Sequence, residues 1–232
     1  MVESEQGEYT RALEGTGYYP VFKNALDTSV RWNEPISALE DSAGVIFGGS
    51  GEYDFDGGRD ASDPARMTSQ TILTRMEPVL EYLFENVIPT LGICYGHQII
   101  GEWKGGRVTN DHKQKKTGTH AVSLTEEGKE DPLFSGMPAT FLAQYGHKDS
   151  LTSLPQGATL IASGSQCAFS GLRYAPSIYT FQFHPELTAN DVSRKLEHSP
   201  GYLPEGVELT DIIRESPESS TLIPRFVALL GQ

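Results

Sequence analysis

Cationic side chains are scarce in this chain. Eighteen Lys and Arg stand against 31 Asp and Glu, a formal charge of −13. Such a field repels a phosphate backbone or an anionic headgroup at long range, which argues against nucleic-acid and membrane partners. No apolar run approaches the roughly 18 residues that a spanning helix needs. The opening MVESEQGEYTR is acidic and polar, unlike a secretory signal or a mitochondrial presequence. There are only two cysteines, Cys94 and Cys167; so few thiols without a secretion signal point to a reducing, cytoplasmic setting. They and the scattered histidines show no zinc-ligand spacing, and GGSGEYD lacks the GK[ST] of a phosphate loop, so no metal or other cofactor is expected.

What is present is an ordinary globular composition, 38% hydrophobic and 21% charged over 232 residues. That suffices for one α/β domain spanning 1–232. Short β-branched runs alternate with helical patterns through the first half, the mark of βαβ units and a parallel sheet. AGVIF (residues 43–47) reads as a buried strand that runs into the loop GGSGEYDFDGG. Apolar residues recur at helical spacing from 67 to 87, interrupted by Pro78, which predicts two short helices or one kink. VIPTLGI (87–93) is the next strand; a helix from 95 to 104 follows and ends at Gly105-Gly106.

The second half reads as strands at THAVSLT, TFLAQYGH, TLIASGS and SIYTFQFH, of which one or two are expected to form an antiparallel addition at a sheet edge. The tail alternates helical stretches with the Pro/Gly-rich HSPGYLPEGVE and closes on a helix at TLIPRFVALL. The first 17 residues hold no hydrophobic strand. The opening strand of a doubly wound sheet is therefore either missing or supplied by GYYPVF (17–22).

The most informative stretch is LGICYGHQ, where a buried strand meets a helix at Cys94. A strand-to-helix turn this tight needs small residues on both sides of the nucleophile, here Gly92 and Gly96. It lifts the side chain to the carboxyl edge of the sheet. A helix N-terminus beneath the sulfur favours thiolate over thiol, and the N–H of Tyr95 is free to face an oxyanion. A lone cysteine is more often a small buried hydrophobe; the strand, paired glycines and helix together reverse that reading.

At the far end, FQFHPE closes a strand. His184 and Glu186, two apart in extended chain, share a side, and Pro185 keeps the residue before it extended. A thiol needs a base, and the base needs a third group to hold its tautomer. Cys94, His184 and Glu186 fill those roles.

These motifs, with GG-R-V between them, resemble the class I glutamine amidotransferases, particularly the glutaminase domain of GMP synthase and its stand-alone relatives. VIFGGSGEYD, DPLFSGMP, GHKDSLTSLP and SGSQCAF match more diffusely and in the right order, so the resemblance spans about residues 43–188. It implies a doubly wound, mostly parallel flavodoxin-like sheet flanked by helices, with a small antiparallel addition. It implies attack of Cys94 on the glutamine side-chain amide, loss of ammonia, and hydrolysis of a thioester with His184 moving the proton. The oxyanion hole would use the N–H of Tyr95 and one from Gly49 or Ser50. Gln98 and the segment His147, Lys148 and Asp149 would hold glutamine. The sequence departs from the family in reading GGSG where a proline often follows the glycines and in carrying Lys148 where Gly is common.

Other residues carry plainer readings. His97 is a packing residue, Cys167 a buried core thiol, and the run His112, Lys113, Lys115 and Lys116 a solvated loop. The expected partners are glutamine, or another γ-glutamyl compound, and a separate synthetase that takes the ammonia. The rivals are a stand-alone γ-glutamyl peptide hydrolase, which the C-terminal insert favours, and an idle binding protein on the same fold.

Overall fold

The computed structural model describes residues 2–198, 206 and 208–231. The chain opens with α1 (Val2–Ala12) and α2 (Pro35–Ala38), then β1 (Val45–Phe47), α3 (Pro64–Glu85), β2 (Thr90–Ile93) and α4 (Tyr95–Trp103). The middle holds β3 (Val108–Thr109), β4 (Lys116–Leu124), α5 (Glu126–Lys129), β5 (Thr140–His147), β6 (Ser150–Leu151) and β7 (Thr159–Gly164). It ends with β8 (Cys167–Ala175), β9 (Ile178–Phe181), α6 (Ala189–His198), α7 (Leu209–Ile212), α8 (Pro217–Ser220) and α9 (Leu222–Ala228).

A seven-stranded sheet runs in the order β1-β2-β9-β8-β7-β4-β5. β1, β2 and β9 pair in parallel, and β2 and β9 are buried at every residue, as strands covered on both faces must be. One apolar layer joins Leu91, Ile93 and Phe181 to Ile223 and Phe226 of α9. The opposite layer joins Ile72, Met76, Leu80 and Leu83 of α3 to Ile99 and Ile100 of α4. The expected α/β class holds. The antiparallel part is larger than one or two strands, since β8, β7, β4 and β5 all extend the sheet that way. β3 and β6 form a separate small antiparallel pair.

Two local alternatives are decided. Residues 17–22 form no strand: Tyr19 and Val21 are exposed, and β1 is the outer strand of the described sheet. Pro20 removes a ladder donor there, and the apolar run lacks the alternation that would give it a buried face. Pro78 does not divide its helix, for α3 is one element of 22 residues. Its start is fixed by Pro64 in the first turn and by the Asp63 carboxylate, which accepts from the Ala65 N–H. Buried Ile72 and Met76 before the proline and Val79, Leu80 and Leu83 after it keep one stripe against the sheet. That burial offsets the roughly 3 kcal/mol a mid-helix proline costs.

HSPGYLPEGVE lies almost wholly outside the described residues. Among those described, no helix is long and apolar enough to cross a membrane.

Candidate active site

The turn from β2 into α4 carries Cys94 at φ +52° and ψ −98°, a conformation a side chain adopts only when its surroundings impose it. Two hydrogen bonds and two glycines impose it. The Cys94 N–H donates to the Phe181 carbonyl at 2.7 Å, and the Gly96 N–H donates to the Gly48 carbonyl at 3.1 Å. A Cβ on Gly92 would lie 2.9 Å from the Gly96 backbone, and one on Gly96 would lie 2.1 Å from the Phe47 carbonyl oxygen. The elbow therefore presses directly on the end of β1. Tyr95 supplies the first N–H of α4, which has no partner inside the helix. Its side chain turns away into the core, stacking on Phe55 and donating to Ser69 Oγ.

Beyond β9 the His184 N–H donates to the Gln144 carbonyl at 2.8 Å, which fixes the position of the imidazole. His184 Nδ1 and Glu186 Oε1 are 2.7 Å apart. Burial by itself would lower the His184 pKa; the Cys94 thiolate and then the Glu186 carboxylate outweigh it and hold the pKa well above the usual histidine value. The imidazolium is thus favoured in the folded chain. Its contribution to stability is fully present below the unfolded value of about 6.5 and is lost as pH rises through the higher folded value. Cys94→Ala removes the leading charge that raises it. The imidazole of His184 in that variant is expected to titrate at a lower pH than in the parent, read by NMR; an equal or higher midpoint would mean that the thiolate is not its partner.

The glycine-rich loop closes over these groups. A Cβ on Gly49 would lie 3.0 Å from His184 Cε1 and 3.7 Å from Cys94 Cβ, so Gly49 brings bare backbone against both residues together. Ser50 instead turns its hydroxyl inward to accept the N–H groups of Glu52 and Tyr53.

The residues expected to hold substrate are brought close to this site, with several engaged by the protein itself. Gln98 is buried and donates through Nε2 to the Asp149 carbonyl at 2.8 Å. His147 is buried with Nδ1 against the same carbonyl, its Nε2 without a partner among the described residues; burial pushes its pKa down to about 3. Lys148 lies 3.9 Å from Asp54. The Asp149 carboxylate accepts the N–H groups of Asp56 and Gly57 at 2.8 and 2.7 Å and faces Asn110 Nδ2 at 3.4 Å. It therefore clamps the loop that continues from Gly49 onto β3 and β6. Removing the carboxylate strands those amides. Asp149→Ala is expected to lower stability by about 1–3 kcal/mol, since the two amides are only half-buried and water takes up part of the loss. A urea titration matching the parent within error would show that the clamp is idle.

The glutamine amidotransferase class-I family model matches residues 23–198. The chain belongs to that family. GMP synthase [glutamine-hydrolyzing] of Thermosipho melanesiensis is 39% identical over 119 residues, covering 51% of this chain and 22% of that protein. Its counterpart in Caldicellulosiruptor saccharolyticus is 33% identical over 115 residues, with 49% and 22% covered. The chain thus spans about a fifth of the length of these curated relatives. The crystal structure of a glutamine amidotransferase from Thermotoga maritima superposes with a TM-score of 0.64 at 21% identity, covering 83% of this chain and 79% of that one. A glutamine amido transferase from Methylobacillus flagellatus gives 0.64 at 19%, covering 97% and 88%. At such identities the likeness concerns the fold.

This class I amidotransferase site also contains groups that motif reading passed over. Gln182 directs Nε2 toward Cys94 Sγ at 3.7 Å. It sits two residues before His184 in extended chain, so the alternation that paired His184 with Glu186 reaches it as well. Tyr9 and Arg11 of α1 also arrive at the site, the latter donating to the Glu186 carbonyl at 3.1 Å. His97 and Cys167 take buried positions: Nδ1 of His97 meets Thr180 Oγ1 at 2.8 Å, and burial lifts the Cys167 thiol to about 11. Lys116 departs from the solvated loop expected of it, being 2% exposed at the start of β4 with its ammonium over the Tyr145 ring.

Proposed function

We propose that this chain hydrolyses the side-chain amide of glutamine by way of a thioester on Cys94. The observation that carries the reading is the strained elbow at Cys94 beside an imidazole held by Glu186 at 2.7 Å. The thiolate of Cys94 attacks the amide carbon, and the carbonyl electrons move to oxygen. The N–H groups of Tyr95 and Gly49 stabilise that oxyanion. His184, as imidazolium, gives its proton to the leaving nitrogen, the C–N bond breaks and ammonia departs. Water then attacks the thioester as His184 takes up a proton, and the C–S bond breaks to release glutamate. Glu186 holds the tautomer through both halves and is not itself consumed.

The relatives are named as glutamine-hydrolysing GMP synthases and are more than twice as long as this chain. The ammonia is accordingly assigned to a synthetase active site. The test is reaction of the purified chain with a diazo-ketone analogue of glutamine, followed by peptide mapping, alongside measurement of glutamate release from glutamine. A single adduct on Cys94 that glutamine protects against is the expected result. A chain that neither reacts nor releases glutamate, with or without a synthetase present, would end this reading.

A further inference from the structure

The helix α1 lies ahead of the residues that the family model matches, yet it reaches the turn that carries Glu186. Arg11, in its last turn, donates through Nη2 to the Glu186 carbonyl at 3.1 Å and pairs through the same nitrogen with the Asp191 carboxylate. Asp191 is 3% exposed and stands in the first turn of α6. Its Oδ2 accepts from the N–H and the hydroxyl of Thr188 at 2.9 and 2.6 Å, and its own N–H donates back to that hydroxyl at 3.2 Å. Its Oδ1 accepts from Arg194 at 2.8 Å. Thr188 and Asp191 thus cap α6 reciprocally. Arg11 and this cap grip the chain on both sides of Leu187, at the carbonyl of Glu186 and the N–H of Thr188. One turn earlier in α1, the Glu8 carboxylate meets Lys195 at 3.0 Å and ties the two helices a second time.

That grip bears on the site because the Glu186 side chain has a single anchor of its own. Oε1 faces His184 Nδ1 at 2.7 Å, while Oε2 is buried with no hydrogen-bond partner among the described residues. The place of the carboxylate therefore follows from the backbone that bears it. A shift of that backbone by about 1 Å would stretch the contact with His184 past hydrogen-bonding range. The guanidinium suits the task, since its planar set of donors spans a carbonyl and a carboxylate at once. Asp191, fixed by its own cap, is the post against which it is braced.

We propose that Arg11 is a positioning residue of this site: braced on buried Asp191, it fixes the peptide of Glu186 and so keeps the Glu186 carboxylate against His184. It touches none of the reacting atoms. The proposal rests on the glutaminase reading only for its kinetic part.

The experiment compares Arg11→Met and Arg11→Lys in the full chain, reading the His184 midpoint by NMR without any substrate. The sign of the change separates positioning from a plain charge effect. Removing a cation near an imidazole raises its midpoint, whereas drawing the Glu186 carboxylate away lowers it. Arg11→Met is expected to lower the midpoint by about half a pH unit. Arg11→Lys keeps the charge but lacks the planar fork, and its midpoint is expected to fall between those of the Met variant and the parent. In a Glu186→Gln background Arg11→Met should not lower the midpoint. Glutamine turnover by Arg11→Met should drop about tenfold in kcat with KM within about twofold, the signature of displaced reacting groups. A midpoint at or above that of the parent overturns the proposal, as does an unchanged kcat or an equal fall in the Glu186→Gln background. If the Met variant does not fold, the Lys variant decides by the same sign. If the parent itself releases no glutamate, the glutaminase reading falls while the NMR arm still decides the role of Arg11.

Discussion

Cys94→Ala is expected to lower glutamate release from glutamine by at least about 10⁴-fold while leaving the melting temperature within a few degrees of the parent. The size of the activity loss follows from the chemistry, because alanine offers no atom on which a thioester can form. Water would then have to attack an unactivated amide with help only from the oxyanion N–H groups. The small effect on folding follows from the geometry. The φ of +52° is imposed by the N–H bonds to Phe181 and Gly48 and by the two flanking glycines, none of which involves the sulfur. Alanine carries the same Cβ, so the cost of the left-handed conformation is unchanged. Only Gln182 Nε2, 3.7 Å from the sulfur, and the imidazolium of His184 lose a neighbour. Glutamate release by the variant at more than about a hundredth of the parent rate would place the nucleophile elsewhere. An unfolded variant would show that the sulfur, rather than the hydrogen bonds, sets the elbow.

The parts of this site that were legible in the sequence are those whose contacts are local. Gly92 and Gly96 flank Cys94 because the turn leaves no room for a Cβ, and that demand is written within five residues. His184 and Glu186 share a side because extended chain alternates, and Gln182 follows the same rule. What was not legible depends on pairings over long separations. Arg11 reaches the Glu186 carbonyl across 175 residues, and the Tyr9 hydroxyl lies against Gly48. Nothing in GEYTR distinguishes a residue of a catalytic site from a surface helix. Asp149 belongs to the segment expected to hold glutamine, yet its carboxylate is taken by amides about 92 residues upstream. The extent of the antiparallel part was hidden in the same way, since β4 pairs not only with β5, the next strand in sequence, but also with the more distant β7. Lys116 shows how composition misleads: a run of basic residues looks solvated, but strand alternation carries one of them inside, where its stem packs and its ammonium lies over an aromatic ring.

Gly96→Ala is expected to destabilise the chain by about 3 kcal/mol or more and to abolish most of the turnover. A methyl there would stand 2.1 Å from the Phe47 carbonyl oxygen and 2.7 Å from its carbonyl carbon and Cβ. A far-reaching flexible side chain could swing aside, whereas these are backbone and root atoms of a strand. They are held on their other side by the pairing of β1 with β2, where Phe47 sits opposite Gly92. Relief therefore requires the elbow and β1 to separate by more than 1 Å, which stretches the bond from the Gly96 N–H to the Gly48 carbonyl. Gly49 follows directly on Gly48, so the same displacement draws the oxyanion loop from His184 and Cys94, and a misplacement of about 1 Å costs on the order of a hundredfold in rate. Gly7→Ala is the matched control. That glycine is exposed inside α1 with no atom near its would-be Cβ, and alanine there is expected to stabilise by about 0.5–1 kcal/mol. Urea titrations of the two variants should therefore move in opposite directions from the parent. A Gly96→Ala chain as stable and active as the parent would mean that β1 and the elbow do not touch, and the account of why Cys94 sits at a strained turn would fall with it.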